Sequence, residues 1–286
     1  MIDFILIGPP DAPLIITLHD DRGFGESPFC NSGDHTSDFR AYTPLTSTHR
    51  LLSFDYRGHG QSLRTAPYAF QQLVDDIEAL RHHFLGPDPP AIICGGSFGG
   101  FLALQYAIQH AGKVSHLILR GTAASHHHEA EALSTLQTRL HRAPSLSVSM
   151  LRDKIFGSFS SDIECQLVMH AAASPFSETF DADVALRNGL GTVFHAEEAH
   201  KRGKTDALYA EPEKRFDYRA QLGSITARSL VRVGEQDWIC PPAQSETIAR
   251  GVPEAKLVVV AGANHAVHLE RNELVVWEIR AFFEGI

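Results

Sequence analysis

The stretch Ile92-Ile93-Cys94-Gly95-Gly96-Ser97-Phe98-Gly99-Gly100 indicates both how this chain folds and where its chemistry lies. An apolar run ends in Gly-x-Ser-x-Gly and passes directly into the helix-like segment 101–107. This order predicts a strand, a tight turn flanked by small residues, and a helix. Ser97 is then exposed at the edge of a sheet and at a helix N-terminus, which favours a developing negative charge. We therefore predict that Ser97 is a nucleophile.

Short apolar runs recur on both sides of this stretch. They lie at 4–7, 14–18, 51–54, 91–94, 114–119, 230–233 and 257–260. Several are apolar at consecutive positions, as expected of parallel strands covered by helices on both faces. Helical patterns occur between and after them, at 70–85, 98–111, 243–250 and 267–283. The pattern predicts an α/β fold with a doubly wound, mainly parallel sheet.

This alternation stops between residues 122 and 220, where helix-like pieces occur and no strand is predicted. We predict a core formed by 1–121 and 221–286, with 122–220 inserted as a helical lid over the site. The insertion contains three adjacent histidines near its start, His126, His127 and His128. Adjacent residues do not share a helix face, so we predict a solvated helix start there and no metal site.

Composition narrows the classes of protein that this chain can belong to. Its 286 residues suit one large domain with an insertion. A net charge of −9 argues against a nucleic-acid partner and against an anionic membrane surface. The four cysteines form no C-x-x-C pair, and no leader or membrane span is evident. We predict a cytoplasmic protein, and its oligomeric state is not indicated.

Two later segments offer the acid and the base that a serine hydroxyl needs in order to attack a carbonyl. The strand-like run at 230–233 is followed by a turn that ends in Asp237, with Glu235 as the alternative acid. The run at 257–260 is followed by a loop that ends in His265. His265 is favoured over His268 because His268 falls in the predicted last helix. We predict a triad of Ser97, Asp237 and His265.

Four motifs carry a resemblance to the α/β-hydrolase superfamily, and within it to proline iminopeptidases and their fungal relatives. They are Phe54–Ser62, which is similar to D-x-R-G-x-G-x-S; Gly95–Gly100, similar to G-G-S-W-G; and the acid and base loops Gly234–Asp237 and Gly262–His265. The resemblance implies an acyl-enzyme mechanism and a structural ion pair for Arg57. It also implies that Glu198, in Glu198-Ala199-His200, binds the free amino group of the substrate.

The resemblance further implies an oxyanion hole formed by two backbone N–H groups, those of Phe98 and Asp21. The family has His-Gly-Gly-Pro-Gly where this chain has His19-Asp20-Asp21-Arg22-Gly23. Two carboxylates therefore crowd a place that must hold negative charge. Either both point outward, one of them paired with Arg22, and the hole survives, or Asp20 or Asp21 acts on the substrate directly. The candidate substrate-binding residues are His19, Asp20, Glu198 and Trp238.

Three functions remain open from the sequence. The first is a serine hydrolase acting on a small molecule or a short peptide, which is either an N-terminal prolyl peptide or amide, or a small ester or lactone. The second is a lyase, or a C–C bond-cleaving or cyclising enzyme of small-molecule metabolism, that uses His265 as a base. The third is a small-molecule receptor on the same scaffold. None of them implies a metal or an organic cofactor.

Overall fold

Nine strands among the described residues form a large and a small sheet in the computed structural model. The structure describes residues 1–20, 24–26, 35–60, 62–63, 65–157, 159–194 and 215–285. The strands in chain order are β1 (Phe4–Ile7), β2 (Leu14–Leu18), β3 (Phe24–Glu26), β4 (Arg50–Phe54), β5 (Ala91–Gly96), β6 (Val114–Arg120), β7 (Thr192–Phe194), β8 (Arg228–Gly234) and β9 (Lys256–Val260).

The large sheet has seven strands in the order β1-β4-β2-β5-β6-β8-β9. Only β1 runs antiparallel, against β4, and each of the other neighbouring pairs is parallel. The carboxyl ends of β2, β5, β6, β8 and β9 therefore lie along one edge. In open sheets of this kind, that edge is where ligands bind.

Helices α1, α2, α3, α8, α9 and α10 cover the two faces of the large sheet, and α4 to α7 lie between β6 and β8. The bounds are α1 (His35–Tyr42), α2 (Phe70–Leu85), α3 (Ser97–Gln109), α4 (His128–Arg139), α5 (Val148–Met150), α6 (Asp162–Ala172), α7 (Ala182–Gly191), α8 (Pro242–Gly251), α9 (Val267–Glu270) and α10 (Asn272–Glu284). Short 3-10 turns add Thr43–Ser47, Ala111–Lys113, Leu140–Arg142, Ser174–Phe176 and Arg219–Ser224, and a π turn spans Leu151–Ile155.

Alternation along each strand divides the core between the two faces. On β2, Leu14, Ile16 and Leu18 belong to the core cluster that contains residues of α2, α3 and α8, whereas Ile15 belongs to the cluster that contains residues of α1, α9 and α10. Because both faces are buried, the strand has no polar side, which explains its consecutive apolar residues. The predicted α/β fold with a doubly wound, mainly parallel sheet is confirmed.

The segment between β6 and β8 differs from the prediction in two respects. It contains a strand, since β7 pairs antiparallel with β3 and Phe194 lies opposite Phe24. Its first helix begins at His128, which is buried, so the predicted solvated start is wrong for that residue. The three-residue β7 is too short to give a periodic signal. The domain limits and the role of 122–220 as a lid stay predictions.

The predicted helix at 267–283 is two helices in the structure. Its chain leaves helical geometry at Arg271, where φ is −132° and ψ is 43°, and this separates α9 from α10. Among the helices that the structure describes, none is both long enough and apolar enough to cross a bilayer.

Candidate active site

Ser97 lies at the sharp turn between β5 and α3. Its φ of +46° is left-handed, a conformation that costs a non-glycine residue about 1–3 kcal/mol and is common at functional sites. The first turn of α3 packs closely against β2: a Cβ on Gly99 would overlap the carbonyl oxygen of Leu18. Glycine is therefore required at position 99. Ser97 is 8% exposed, at the first residue of a 13-residue helix.

Asp237 and His265 are joined by a hydrogen bond of 2.8 Å between Oδ2 and Nδ1. The second carboxylate oxygen, Oδ1, accepts from the backbone N–H groups of Ile239 and Cys240, at 2.9 Å each. These three contacts fix the carboxylate, which is 2% exposed. A bond to a carboxylate places the proton of a neutral imidazole on Nδ1, which leaves Nε2 able to accept a proton. The alternative acid Glu235 instead accepts from the N–H of Gly262.

The turn after β6 contacts both the nucleophile turn and the acid. Thr122 donates its hydroxyl proton to the carbonyl oxygen of Ser97 at 2.7 Å. Next to it, Gly121 has a φ of +44°, and a Cβ added there would lie 2.8 Å from Oδ2 of Asp237. The structure therefore brings the three predicted catalytic residues to one edge of the sheet, around Gly121 and Thr122.

Asp20 follows β2 and forms an ion pair with Arg120, the last residue of β6. Oδ2 of Asp20 lies 2.9 Å from a terminal guanidinium nitrogen, and the arginine side chain is 1% exposed. Burial raises the pKa of Asp20, but Arg120, together with His268 and His265, outweighs this effect and holds that pKa below its ordinary value. Asp20 is therefore a carboxylate held by an arginine that lies against Gly96, next to Ser97.

The other predicted binding residues are either covered or outside the described residues. His19 is 1% exposed, with its ring 4.0 Å from that of Tyr56. Trp238 is fully buried, and its indole N–H donates to the carbonyl oxygen of Pro175 at 2.8 Å. Phe98 is buried in the first turn of α3. Asp21 and Glu198 lie outside the described residues.

Arg120 and Asn264 lie near the site and were not given a role from the sequence, and His268, which was considered as the base and set aside, lies there too. Arg120 could have been found from the sequence, because it is a charged residue directly after an apolar strand-like run. Asn264 is fully buried beside His265. Burial, and then Arg120, lower the pKa of His268 well below its ordinary value. Across the part of the chain that the structure describes, no group of three or more His, Cys, Asp or Glu side chains is arranged to hold a metal ion.

Arg57 makes the structural ion pair that the resemblance implied. Its Nε and a terminal nitrogen each lie 2.6 Å from a carboxylate oxygen of Asp76 on α2. The pKa of Arg57 is raised by this hydrogen bonding. The pair joins the turn after β4 to α2, so Arg57 serves the scaffold.

Comparisons with known proteins agree with this fold. The family model for the alpha/beta hydrolase fold matches residues 29–272. The proline iminopeptidase PfmaB of Pestalotiopsis fici is 54% identical over 280 residues, which are 98% of this chain and 94% of that protein. A pimeloyl-(acyl-carrier protein) methyl ester esterase of Neisseria meningitidis is 29% identical over 249 residues, 85% of this chain and 86% of the esterase.

A solved structure, that of a proline iminopeptidase from Mycobacterium smegmatis, has the same fold. It superposes with a TM-score of 0.69 at 19% identity, covering 99% of this chain and 94% of its own. The family match and the 54% identity extend over nearly the whole chain. This chain belongs to the α/β-hydrolase family and is a hydrolase enzyme.

Proposed function

We propose that this enzyme is a serine hydrolase that forms an acyl-enzyme on Ser97. The observation that carries the proposal is the 2.8 Å bond between His265 and Asp237, on the loops that follow β8 and β9. Ser97 emerges at the same edge of the sheet, in a left-handed turn at the N-terminus of α3. A fixed base, its orienting acid and a strained serine are the parts that acyl transfer requires.

In the proposed mechanism, the hydroxyl oxygen of Ser97 attacks the substrate carbonyl while Nε2 of His265 takes its proton. Asp237 holds the imidazole in the required tautomer and stabilises the imidazolium. Backbone N–H groups of Phe98 and Asp21 are the proposed donors to the oxyanion. The bond between the acyl carbon and the leaving group breaks as His265 gives its proton to that group. Water then attacks the acyl-enzyme while His265 takes its proton, and the bond to Oγ of Ser97 breaks as His265 returns the proton to Oγ.

The ion pair between Asp20 and Arg120 supports the version of this proposal in which the oxyanion hole is retained. A free carboxylate beside the hole would oppose the negative charge of the tetrahedral intermediate. Here the Asp20 carboxylate contacts a buried guanidinium at 2.9 Å, so its charge is balanced. Arg120 is a partner that the sequence did not suggest, and Arg22, the residue considered from the sequence, lies outside the described residues.

We propose N-terminal prolyl peptides or amides as the substrate class. The support is the 54% identity to a protein named as a proline iminopeptidase. Glu198 stays the predicted contact of the substrate amine. Small esters are the second candidate class, because a relative named as a methyl ester esterase is aligned over 85% of the chain. The cytoplasmic location also stays a prediction.

The test compares kcat/KM for a proline arylamide and a short p-nitrophenyl ester. The wild type, Ser97→Ala and the control Ser115→Ala are measured in parallel. Ser115 is a half-buried serine at the opposite end of β6, where it donates to the carbonyl oxygen of Ala91. We expect Ser97→Ala to lose about 10³-fold or more in kcat, while Ser115→Ala keeps wild-type activity.

A higher kcat/KM for the proline arylamide supports prolyl peptides or amides as the substrate class. Turnover of the p-nitrophenyl ester alone supports small esters. Appreciable activity in Ser97→Ala would refute the acyl-enzyme. It would favour the lyase or C–C bond-cleaving chemistry in which His265 acts on the substrate as a base.

A further inference from the structure

Residues 174–178 of the insertion, here called the docking segment, contact both the acid loop and the base loop. The carbonyl oxygen of Pro175 accepts two side-chain hydrogen bonds. One comes from the indole N–H of Trp238 at 2.8 Å, and the other from Nδ2 of Asn264 at 2.7 Å. Trp238 follows the predicted acid Asp237 in the chain, and Asn264 precedes the predicted base His265. A single carbonyl oxygen therefore joins the two loops that carry the acid and the base.

Asn264 uses the rest of its side chain to hold the base loop. Its Nδ2 also donates to Oε1 of Glu178 at 2.8 Å, and its Oδ1 accepts from the backbone N–H of His265 at 2.8 Å. The backbone N–H of Asn264 donates to Glu270 at 3.1 Å. The side chain is fully buried. Since each buried bond is costly to lose, the amide fixes the backbone of His265 relative to the docking segment.

The docking segment is itself held in place by two arginines. Arg142 donates to the carbonyl oxygens of Ser174 and Ser177, at 3.1 and 2.8 Å. The other terminal nitrogen of Arg142 lies 3.0 Å from Oε1 of Glu178. A terminal nitrogen of Arg139 lies 3.4 Å from the same Oε1. Arg142 and Arg139 therefore fix the position of the docking segment, and the docking segment in turn fixes the acid and base loops through Pro175.

Phe176 completes the contact between the docking segment and the site. Its ring meets that of Trp238 edge-on at 5.3 Å between centroids, and that of His265 at 6.1 Å. Edge-to-face contacts of this kind favour one ring orientation. The His265 ring is thus bounded by Asp237 through a hydrogen bond and by Phe176 through packing.

We propose that Asn264 and Trp238 are positioning residues, which align His265 with Asp237 by binding the same carbonyl oxygen of Pro175. The inference rests on the proposed function, because it assigns the base role to His265. Neither residue needs to touch the substrate. Their loss displaces the imidazole, so it lowers the rate of proton transfer and leaves substrate binding largely unchanged. A displacement of about 1 Å in a reacting group can cost about 100-fold in rate.

The test uses Trp238→Phe, which keeps an aromatic ring and removes the N–H donor, and Asn264→Asp. The second variant keeps the acceptor for the N–H of His265 but turns a carboxylate toward Pro175 and Glu178. The matched control is Asn272→Ala. Asn272 also donates from Nδ2 to two carbonyl oxygens, those of Ala41 and His268, at 2.8 and 2.9 Å. Its bonds do not reach either loop.

We expect kcat to fall about 5-fold in Trp238→Phe and about 10- to 100-fold in Asn264→Asp, with KM within about 3-fold of the wild type. The rate of inactivation by a fluorophosphonate should fall in parallel, since it reports the reactivity of Ser97 without a substrate. Asn272→Ala should lose thermal stability and keep its kcat. If Asn264→Asp does not fold, Trp238→Phe decides the test by itself.

A wild-type kcat in both variants, or a loss no larger than that of Asn272→Ala at equal stability, would overturn the inference. Ser97→Ala is measured in the same series. Activity in Ser97→Ala contradicts the proposed function, whereas an inactive Ser97→Ala beside fully active Trp238→Phe and Asn264→Asp contradicts only the positioning role.

Discussion

Replacing Asp20 with Asn tests its ion pair with Arg120, which lies next to the turn at Ser97. Arg120 is 1% exposed and lies against Gly96, the residue before Ser97, so closely that a Cβ on Gly96 would overlap the guanidinium. The arginine therefore cannot turn toward water without moving the turn. Asp20→Asn keeps the size of the side chain and leaves the guanidinium without the 2.9 Å carboxylate contact.

The structure sets the size of the expected effect. Removing one partner of a buried ion pair costs about 3–5 kcal/mol. Asp20 is 19% exposed, so water partly screens the pair, and the expected loss falls at or below the lower end of this range. We expect Asp20→Asn to lose about 2–3 kcal/mol in the free energy of unfolding. Adding Arg120→Met should restore part of the loss, because the buried charge that Asp20 balances is then removed as well.

The pH dependence of this effect has a definite sign. Burial raises the pKa of Asp20, but Arg120 and the neighbouring histidines hold it below the value of 3.8 for an unfolded aspartate. A lowered pKa gives stability that is complete above about pH 4–5 and is lost as the pH falls through the folded-state pKa. The difference between the wild type and Asp20→Asn should therefore be constant from pH 5 to pH 8 and shrink below pH 4.

Urea unfolding followed by tryptophan fluorescence measures these differences at each pH. The reasoning is refuted if Asp20→Asn is as stable as the wild type at pH 7. It is also refuted if the difference between them grows in acid. Losses that simply add in Asp20→Asn/Arg120→Met would show that the two side chains are not coupled.

Two further substitutions test the site and the scaffold separately. Gly121→Ala should lower kcat at least 10-fold, because its Cβ would lie 2.8 Å from Oδ2 of Asp237 and displace the acid. Steady-state kinetics checks this, and an unchanged kcat in the folded variant would show that the acid tolerates displacement. Arg57→Lys should lower the free energy of unfolding by about 1 kcal/mol, because lysine cannot bind both oxygens of Asp76. Its kcat/KM should stay within about 2-fold of the wild type, and a larger loss would give Arg57 a role in catalysis.

The large sheet could be predicted from the sequence almost strand by strand. Each of its seven strands contains or matches a predicted run, such as Ala91–Cys94 within β5 and Leu230–Val233 within β8. The physical reason is local: a strand buried on both faces must be apolar at consecutive positions. The turn at Ser97 was equally readable, because the backbone of Gly99 leaves no space for a side chain.

The candidate catalytic residues were predictable for a related reason. Asp237 and His265 each follow an apolar strand after a short turn, and parallel strands bring their carboxyl ends to one edge. The sequence could not show which acid contacts the base. The structure gives that contact to Asp237 and places Glu235 on the N–H of Gly262.

Contacts between distant parts of the chain were decided only by the tertiary structure. Asp20 forms an ion pair with Arg120, and β3 pairs with β7. The carbonyl oxygen of Pro175 accepts hydrogen bonds from Trp238 and Asn264. None of these contacts produces a periodic pattern, since each depends on how the insertion and the loops pack on the sheet. Local patterns record which side chains must be buried, and the choice of partner for each buried polar group is made when the whole chain has folded.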